Sequence, residues 1–128
     1  MLLETTNQMS DNGYAYIKLD YLELMSDGDP EMKAVMLEML LSELPEELKK
    51  MQDLFSTTNW KELRSVSHKM KSTLAFVGND PMTEAYKQIE TLTKIGPEVS
   101  QVESQLNILV EMCPKVIAEL QVEQRKTA

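Results

Sequence analysis

Three short stretches that contain both glycine and proline divide this sequence into segments of helix length. The loops between these segments are only a few residues long, so successive helices must pack side by side. The three stretches are Gly28-Asp29-Pro30, Gly78-Asn79-Asp80-Pro81 and Gly96-Pro97. At the first two we expect the aspartate to cap the next helix and the proline to occupy its first turn. At a fourth boundary, Glu62 follows Asn59 by three residues, which is a capping-box pattern. These boundaries predict five helices, at about 19–26, 30–55, 60–77, 81–94 and 97–124.

Apolar residues within these segments recur at spacings of three and four. The last segment shows this best, at Val99, Val102, Leu106, Leu109, Cys113, either Val116 or Ile117, and Leu120. A seven-residue rhythm of this kind suits helices packed nearly parallel to one another, and short loops make successive helices antiparallel. The sequence therefore predicts an all-α fold, an up-down antiparallel four-helix bundle with a short extra N-terminal helix. Pro45 and Pro114 lie inside predicted helices, and we expect them to bend these helices without breaking them.

Composition agrees with this fold and excludes several functional classes. Leu and Met together number 27, against 13 for Val and Ile, which favours helix over sheet. The chain of 128 residues has the length of one domain, and we place a flexible N-terminal tail at 1–13 and the helical domain at 14–124. It is too short for a two-lobed enzyme, and no apolar run approaches the ~20 residues that span a membrane.

The net charge and the single cysteine limit which partners the chain can bind and where in the cell we expect it. The net charge of −8 disfavours binding to nucleic acid, which needs clustered Lys and Arg. The single cysteine, Cys113, provides neither an internal disulfide nor a thiolate zinc site. No secretory signal is visible at the start of the sequence. We therefore expect a monomeric protein in the cytoplasm.

The only histidine, His68, lies on the third predicted helix and is expected to face water. Five apolar residues of this helix fall on one narrow stripe at ~100° per residue, and His68 lies roughly 160° from the centre of that stripe. The five are Leu63, Val66, Met70, Leu74 and Val77. A histidine so placed is not a core residue. Its neighbours on the same face are Arg64, Ser65, Lys71, Ser72 and Ala75.

The residues around His68 are basic although the chain as a whole is acidic. From Trp60 to Ser72 the net charge is +3, which leaves −11 for the rest of the chain. We call residues 60–72 the basic segment. Its cations are Lys61, Arg64, Lys69 and Lys71, and its one anion is Glu62.

The chemistry of such a histidine can be narrowed by its neighbours along the helix. A metal site needs a second ligand one turn away, and there is none. A catalytic triad needs a nucleophile and an orienting carboxylate, and the helix supplies neither near His68. We therefore expect no second catalytic group to converge on His68, which argues against an enzyme. What remains is a neutral imidazole that accepts an anionic group, since nearby cations favour the uncharged ring and stabilise a phosphoryl group in transit.

The stretch His68-Lys69-Met70-Lys71-Ser72-Thr73-Leu74-Ala75-Phe76-Val77-Gly78 resembles the phosphoacceptor helix of histidine-containing phosphotransfer (HPt) domains. The pattern of that family is His-x-x-Lys-Gly-(Ser/Ala), with a hydrophobic residue and Gly closing the helix. His68, Lys71 and Val77-Gly78 match in spacing, whereas Ser72 stands where the family most often has Gly. The predicted order of helices over 19–120 also follows the layout of the family.

This resemblance implies a carrier that moves phosphate reversibly between aspartates of response-regulator receiver domains, with a hybrid sensor histidine kinase as a further candidate partner. His68 would be the phosphoacceptor, and Lys71 would orient the phosphate, with Arg64 and Ser72 beside it. The receiver would supply Mg²⁺, so we expect no metal or cofactor of the chain's own, and we see no ATP site. Lys69, Ser65, Ala75 and Phe76 are candidates for partner docking, although Phe76 is equally suited to packing on a neighbouring helix. The alternative is a helical adaptor that uses the same face without phosphate.

Overall fold

The computed structural model describes residues 13–127, which form five α-helices and no strand. The helices are α1 (Asp20–Ser26), α2 (Pro30–Ser56), α3 (Trp60–Ala75), α4 (Asp80–Leu92) and α5 (Val99–Thr127). The all-α fold is thus confirmed, with helix ends within a few residues of those predicted. Of the predicted tail at 1–13, all but Gly13 lies outside the described residues, and the bounds 14–124 stay a prediction. None of the described helices is both long and apolar enough to cross a membrane.

The four long helices enclose one core. α2 and α4 each pack against both α3 and α5, and α1 packs on α2. Along α2 and α3, Glu43 bonds to Thr73 while Glu47 pairs with Lys69, so the two helices run in opposite directions. Helices α3 and α4 also run in opposite directions, because Arg64 contacts Thr93 while His68 contacts Glu90. The short connection at 93–98 predicts this reversal for α5 as well.

Burial follows the predicted stripes. All five stripe residues of α3 are buried, as are the α5 stripe residues from Val102 to Leu120. Val99 is the exception, because it is the first residue of α5 and is exposed. Burial raises the pKa of the Cys113 thiol to about 11, so this cysteine stays protonated and unreactive at neutral pH. Pro45 and Pro114 both lie inside continuous helices, as expected.

Two of the predicted caps are confirmed and one is wrong. Asp29 accepts hydrogen bonds from the backbone at the start of α2, and Asn59 does so at the start of α3. At the third boundary the cap is Asn79 and not Asp80, which is the first residue of α4. The Asn79 side chain also donates to the Tyr16 carbonyl oxygen at 2.8 Å, a second bond that a carboxylate at this position could not make.

The segment before α1 is held across one end of the bundle. The backbone N–H groups of Ala15 and Tyr16 donate to the Glu119 carboxylate at 3.0 and 2.8 Å. A little further along, the Lys18 N–H donates to the Val77 carbonyl oxygen at 2.9 Å. We call residues 14–18 the strap. These bonds pair three backbone N–H groups of the strap and fix it against α5 and the end of α3.

Gly78 is where the strap comes closest to the helical bundle. Its φ of +70° lies in the left-handed region, which ends α3 and which side-chain-bearing residues rarely adopt. A Cβ at Gly78 would lie 2.6 Å from the Lys18 carbonyl oxygen and 2.7 Å from the Lys18 Cβ. The helix end and the strap therefore both require glycine at this position.

We expect Gly78→Ala to lower the free energy of unfolding by about 2–4 kcal/mol, since it adds a backbone clash to the ~1–2 kcal/mol cost of a left-handed alanine. Urea denaturation measures this effect. Gly96→Ala is the matched control, because Gly96 has a φ of +85° but open space around it. Equal losses for the two variants would show that the contact with the strap contributes nothing.

A buried ionic network joins the strap to α1, α2 and α5. Tyr14 donates to Glu123 Oε1 at 2.7 Å, and Lys33 Nζ lies 2.7 Å from Glu123 Oε2 and 2.7 Å from Glu23 Oε2. Burial alone would raise the pKa of Glu123, whose side chain is 6% exposed. The hydrogen bonds from Lys33 and Tyr14 outweigh burial, so the pKa lies below its ordinary value.

We expect Glu123→Gln to lower the free energy of unfolding at pH 7 by about 1.5–3 kcal/mol. Because the carboxyl pKa is lower in the folded state, this stabilisation is present above the ordinary value of 4.5 and is lost as pH falls through the folded-state pKa. Urea denaturation at pH 7 and pH 3 should therefore show the gap between wild type and variant closing in acid. Glu46→Gln, at an exposed position on α2, is the control. A gap that stays constant with pH would contradict this account.

Candidate functional site

His68 projects from α3 into solvent beside α4, as its position on the helix predicted. Its side chain is 69% exposed, yet one nitrogen of the ring has a hydrogen-bond partner. Nδ1 lies 2.7 Å from Oε2 of Glu90, which comes from α4. Lys71 Nζ lies 2.6 Å from the other oxygen of the same carboxylate, Oε1. Glu90 therefore bridges the two residues that the sequence motif singled out.

This carboxylate corrects the expectation that no orienting group lies near His68. No carboxylate lies within one turn of His68 on α3, whereas Glu90 is 22 residues away on the next helix. The antiparallel packing of α3 and α4 brings it there, since Arg64, one turn before His68, contacts Thr93, three residues after Glu90. The same carboxylate also pairs with Lys71, so the ammonium of that residue is not free.

A signal for Glu90 is present in the sequence of α4. The buried residues of this helix are Met82, Ala85, Tyr86 and Ile89. Glu90 follows Tyr86 by four residues and so lies at the edge of this apolar stripe, where its side chain is only 14% exposed. A carboxylate at the margin of a buried stripe, facing a basic segment, is a candidate for an interhelical pair.

The ionisation of Glu90 determines which nitrogen of His68 carries the proton. The hydrogen bond from Lys71 lowers the pKa of Glu90, burial opposes that effect, and the bond from His68 adds to the lowering. An ionised carboxylate only accepts hydrogen bonds, so at 2.7 Å the proton must be on Nδ1 of His68. Nε2 of the neutral ring then carries the free lone pair. Among residues 13–127, no hydrogen bond reaches Nε2.

A shallow cleft of about 300 Å³ lies next to the imidazole, between α3 and α4. Its lining residues are Arg64, Ser65, His68, Glu90 and Lys94. The Arg64 side chain donates through Nη1 to the Thr93 carbonyl oxygen at 3.3 Å, which holds the guanidinium against the end of α4. Lys94 was not predicted as a site residue, because it lies beyond the end of α4 and only the fold brings it to the cleft.

The other predicted residues divide between two sides of His68. Lys69 turns away from the cleft toward α2, where Nζ lies 3.3 Å from Glu47 Oε1. Ser72 and Ala75 are exposed on the outer face of α3. Phe76 is half-buried and stacks on Tyr21 of α1, with 5.1 Å between ring centroids. Of the two interpretations left open for Phe76, packing on a neighbouring helix is therefore observed.

The structure also reduces the positive charge that the sequence suggested. Glu47 and Glu90 pair with two cations of the basic segment, and Lys94 adds one cation. With these three neighbours counted, the net charge at the site falls from +3 to +2. Within the described part of the chain, no three His, Cys, Asp or Glu residues lie together as a metal site would require.

Six large apolar side chains of α1 and the first half of α2 are exposed. We call them together the apolar face, and they are Tyr21, Leu24, Met25, Met32, Val35 and Met39. Tyr21 connects it to Phe76 at the end of α3. One turn after Met39, Glu43 accepts a hydrogen bond from Thr73 of α3 at 2.8 Å. The apolar face therefore adjoins the half of α3 that follows His68.

Comparison with known proteins identifies a family for most of this structure. The model of the Hpt domain matches residues 35–123, which is more than half of the chain. The match includes His68, Lys71 and Glu90. Comparison with curated proteins and with solved structures finds no match for the chain.

Proposed function

The chain belongs to the Hpt domain family, and we propose that it carries phosphoryl groups between receiver-domain aspartates in a two-component phosphorelay. One observation supports this most. His68 is exposed to a partner, while Glu90 holds Nδ1 and leaves Nε2 as the nucleophile. An unsupported surface histidine would exchange its proton between the two nitrogens, so only part of its population would be ready to react.

Loading begins with the phosphorylated aspartate of a receiver. Nε2 of His68 attacks the phosphorus, a P–N bond forms, and the P–O bond breaks with its electron pair returning to the aspartate carboxylate. Delivery to a second receiver reverses these bonds. Lys71 shares Glu90 with His68, so its ammonium lies within reach of a phosphoryl group on the ring. Arg64 and Lys94 add positive charge along the cleft, which stabilises the charge on the phosphoryl oxygens in transit.

The remaining parts of the reaction belong to the partner. We propose that the receiver brings the acidic pocket and Mg²⁺, and that phosphate enters the relay from a sensor kinase, so that the chain itself is a carrier and not a kinase. Docking would use exposed Ser65, Lys69 and Ala75 around His68, together with Phe76 and the adjoining apolar face. An apolar surface next to an exposed nucleophile suits a partner that must exclude water while phosphate moves.

The decisive experiment is phosphoryl transfer from a phosphorylated receiver to the full chain. Wild type should acquire a label that is labile in acid and stable in base, as a phosphoramidate is. His68→Gln should abolish the label and change the melting temperature little, because the side chain is largely in water. Labelling of the His68→Gln variant would rule out the carrier.

The apolar face favours one second candidate, a helical adaptor that binds a receiver or a similar partner without phosphate. Its exposed side chains need no phosphoryl group in order to bury apolar surface. The same experiment separates the two functions. A chain that binds the phosphorylated receiver and never takes the label is an adaptor.

We expect added salt to weaken docking only modestly, because salt screens the attraction of the site and also the general repulsion between two acidic proteins. The chain is acidic overall, so attraction to an acidic receiver pocket must come from the site charge of +2, acting over a Debye length of ~8–10 Å. We expect the double variant Arg64→Glu and Lys69→Glu to bind a receiver more slowly at low salt and to lose or reverse the dependence on salt. Stopped-flow association measures this. The control is the double variant Lys49→Glu and Lys50→Glu, which makes the same change of charge at two exposed lysines of α2. Unchanged association of the site variant would place docking elsewhere.

A further inference from the structure

The shared carboxylate of Glu90 has a consequence for the phosphorylated form of His68, and the argument rests on the proposed function. We infer that Glu90 keeps the Nδ1 proton on the ring while Nε2 carries the phosphoryl group. The same proton then stays in place through loading and delivery. The imidazole consequently leaves as a neutral molecule when phosphate moves on.

The balance of the two steps shows why this proton matters. Loading joins phosphorus to Nε2 of a neutral ring and leaves a positively charged ring with the proton still on Nδ1. In delivery, a receiver carboxylate attacks phosphorus, and the P–N electron pair returns to Nε2. If Nδ1 has kept its proton, the leaving group is neutral imidazole. If solvent has removed that proton, the leaving group is an imidazolate anion, which is far less stable, so that form of the ring transfers phosphate much more slowly.

The geometry supplies what retention of the proton requires. Oε2 of Glu90 lies 2.7 Å from Nδ1, the distance of a strong charge-assisted hydrogen bond. The carboxylate is largely shielded from water, and Lys71 on Oε1 keeps it ionised. A positively charged ring is stabilised more by this partner than a neutral ring is. An amide at position 90 could accept the same hydrogen bond but would bring no charge.

The other charges around the ring are mostly positive, and they act against the effect of Glu90 on the Nδ1 proton. From α3, Arg64 and Lys71 lie within one turn of His68, and beyond the end of α4, Lys94 lines the same cleft. On the α2 side, Glu47 pairs with Lys69 rather than with the ring. Of the residues lining the cleft, Glu90 is thus the one anion. Its loss would leave the phosphorylated ring facing three cations, which disfavour a positive ring.

The test uses the fact that His68 is the only histidine, so its ring signals need no assignment. The full chain is loaded with phosphoramidate, and the ring nitrogens are followed by ¹⁵N NMR between pH 5 and 9. An ordinary imidazolium ring loses a proton near pH 6.5, and an adjacent opposite charge raises that pKa by about one unit or more. We expect the phosphorylated wild-type ring to keep its Nδ1 proton to a pH at least one unit higher than the phosphorylated Glu90→Gln ring.

Transfer to a receiver gives a second readout. At pH 8, Glu90→Gln should deliver phosphate about tenfold more slowly than wild type, whereas at pH 6 the two should agree within about twofold. Glu84→Gln is the matched control, since Glu84 is an exposed carboxylate on the same helix, bonded to Gln88, and should follow wild type.

Two results would overturn the inference while leaving the proposed function standing. One is a Glu90→Gln ring that releases its proton at the wild-type pH. The other is a Glu90→Gln variant that is slower by the same factor at every pH, since that would show a role in positioning alone. Failure of the wild type to take phosphate on His68 would overturn the proposed function and this inference together.

Discussion

Burial of one apolar stripe on α3 is the constraint on which the rest of the site depends. The stripe fixes the rotation of this helix, because turning it by one residue would move its side chains by ~100° and bring lysines toward the core. With Met70 and Leu74 inside, His68 must lie outside. The exposure of His68 is therefore a result of core packing and needs no separate stabilisation.

The contact between α3 and α4 then turns an exposed histidine into one with a defined proton. Glu90 accepts from Nδ1 with one oxygen and pairs with Lys71 through the other. One carboxylate thus selects the tautomer and holds the nearest cation beside the ring. Because both partners lie on α3 one turn apart, a single side chain of α4 can reach them together.

The residues that stabilise the fold lie apart from His68 and its partners Glu90 and Lys71. Gly78 and the strap close one end of the bundle, and Glu123 binds Tyr14 and Lys33 in a network that does not include His68. Substitutions in that network can therefore change the stability of the fold without altering the contacts of His68 with Glu90. We propose a third role for the exposed apolar face, as a partner surface that lies outside the core.

The sequence by itself determined the helices, most of their caps, the buried stripes and the exposure of His68, because each depends on spacing within one helix. It also pointed to His68 and Lys71 as a pair. Only the tertiary structure decided that Glu90 bridges them, that Lys69 faces Glu47, and that the Asn79 amide reaches the Tyr16 carbonyl oxygen. Those contacts join residues of different segments, and helical periodicity carries no information about which residue of a neighbouring helix lies opposite. Register and direction of packing, which set that choice, come from the core as a whole.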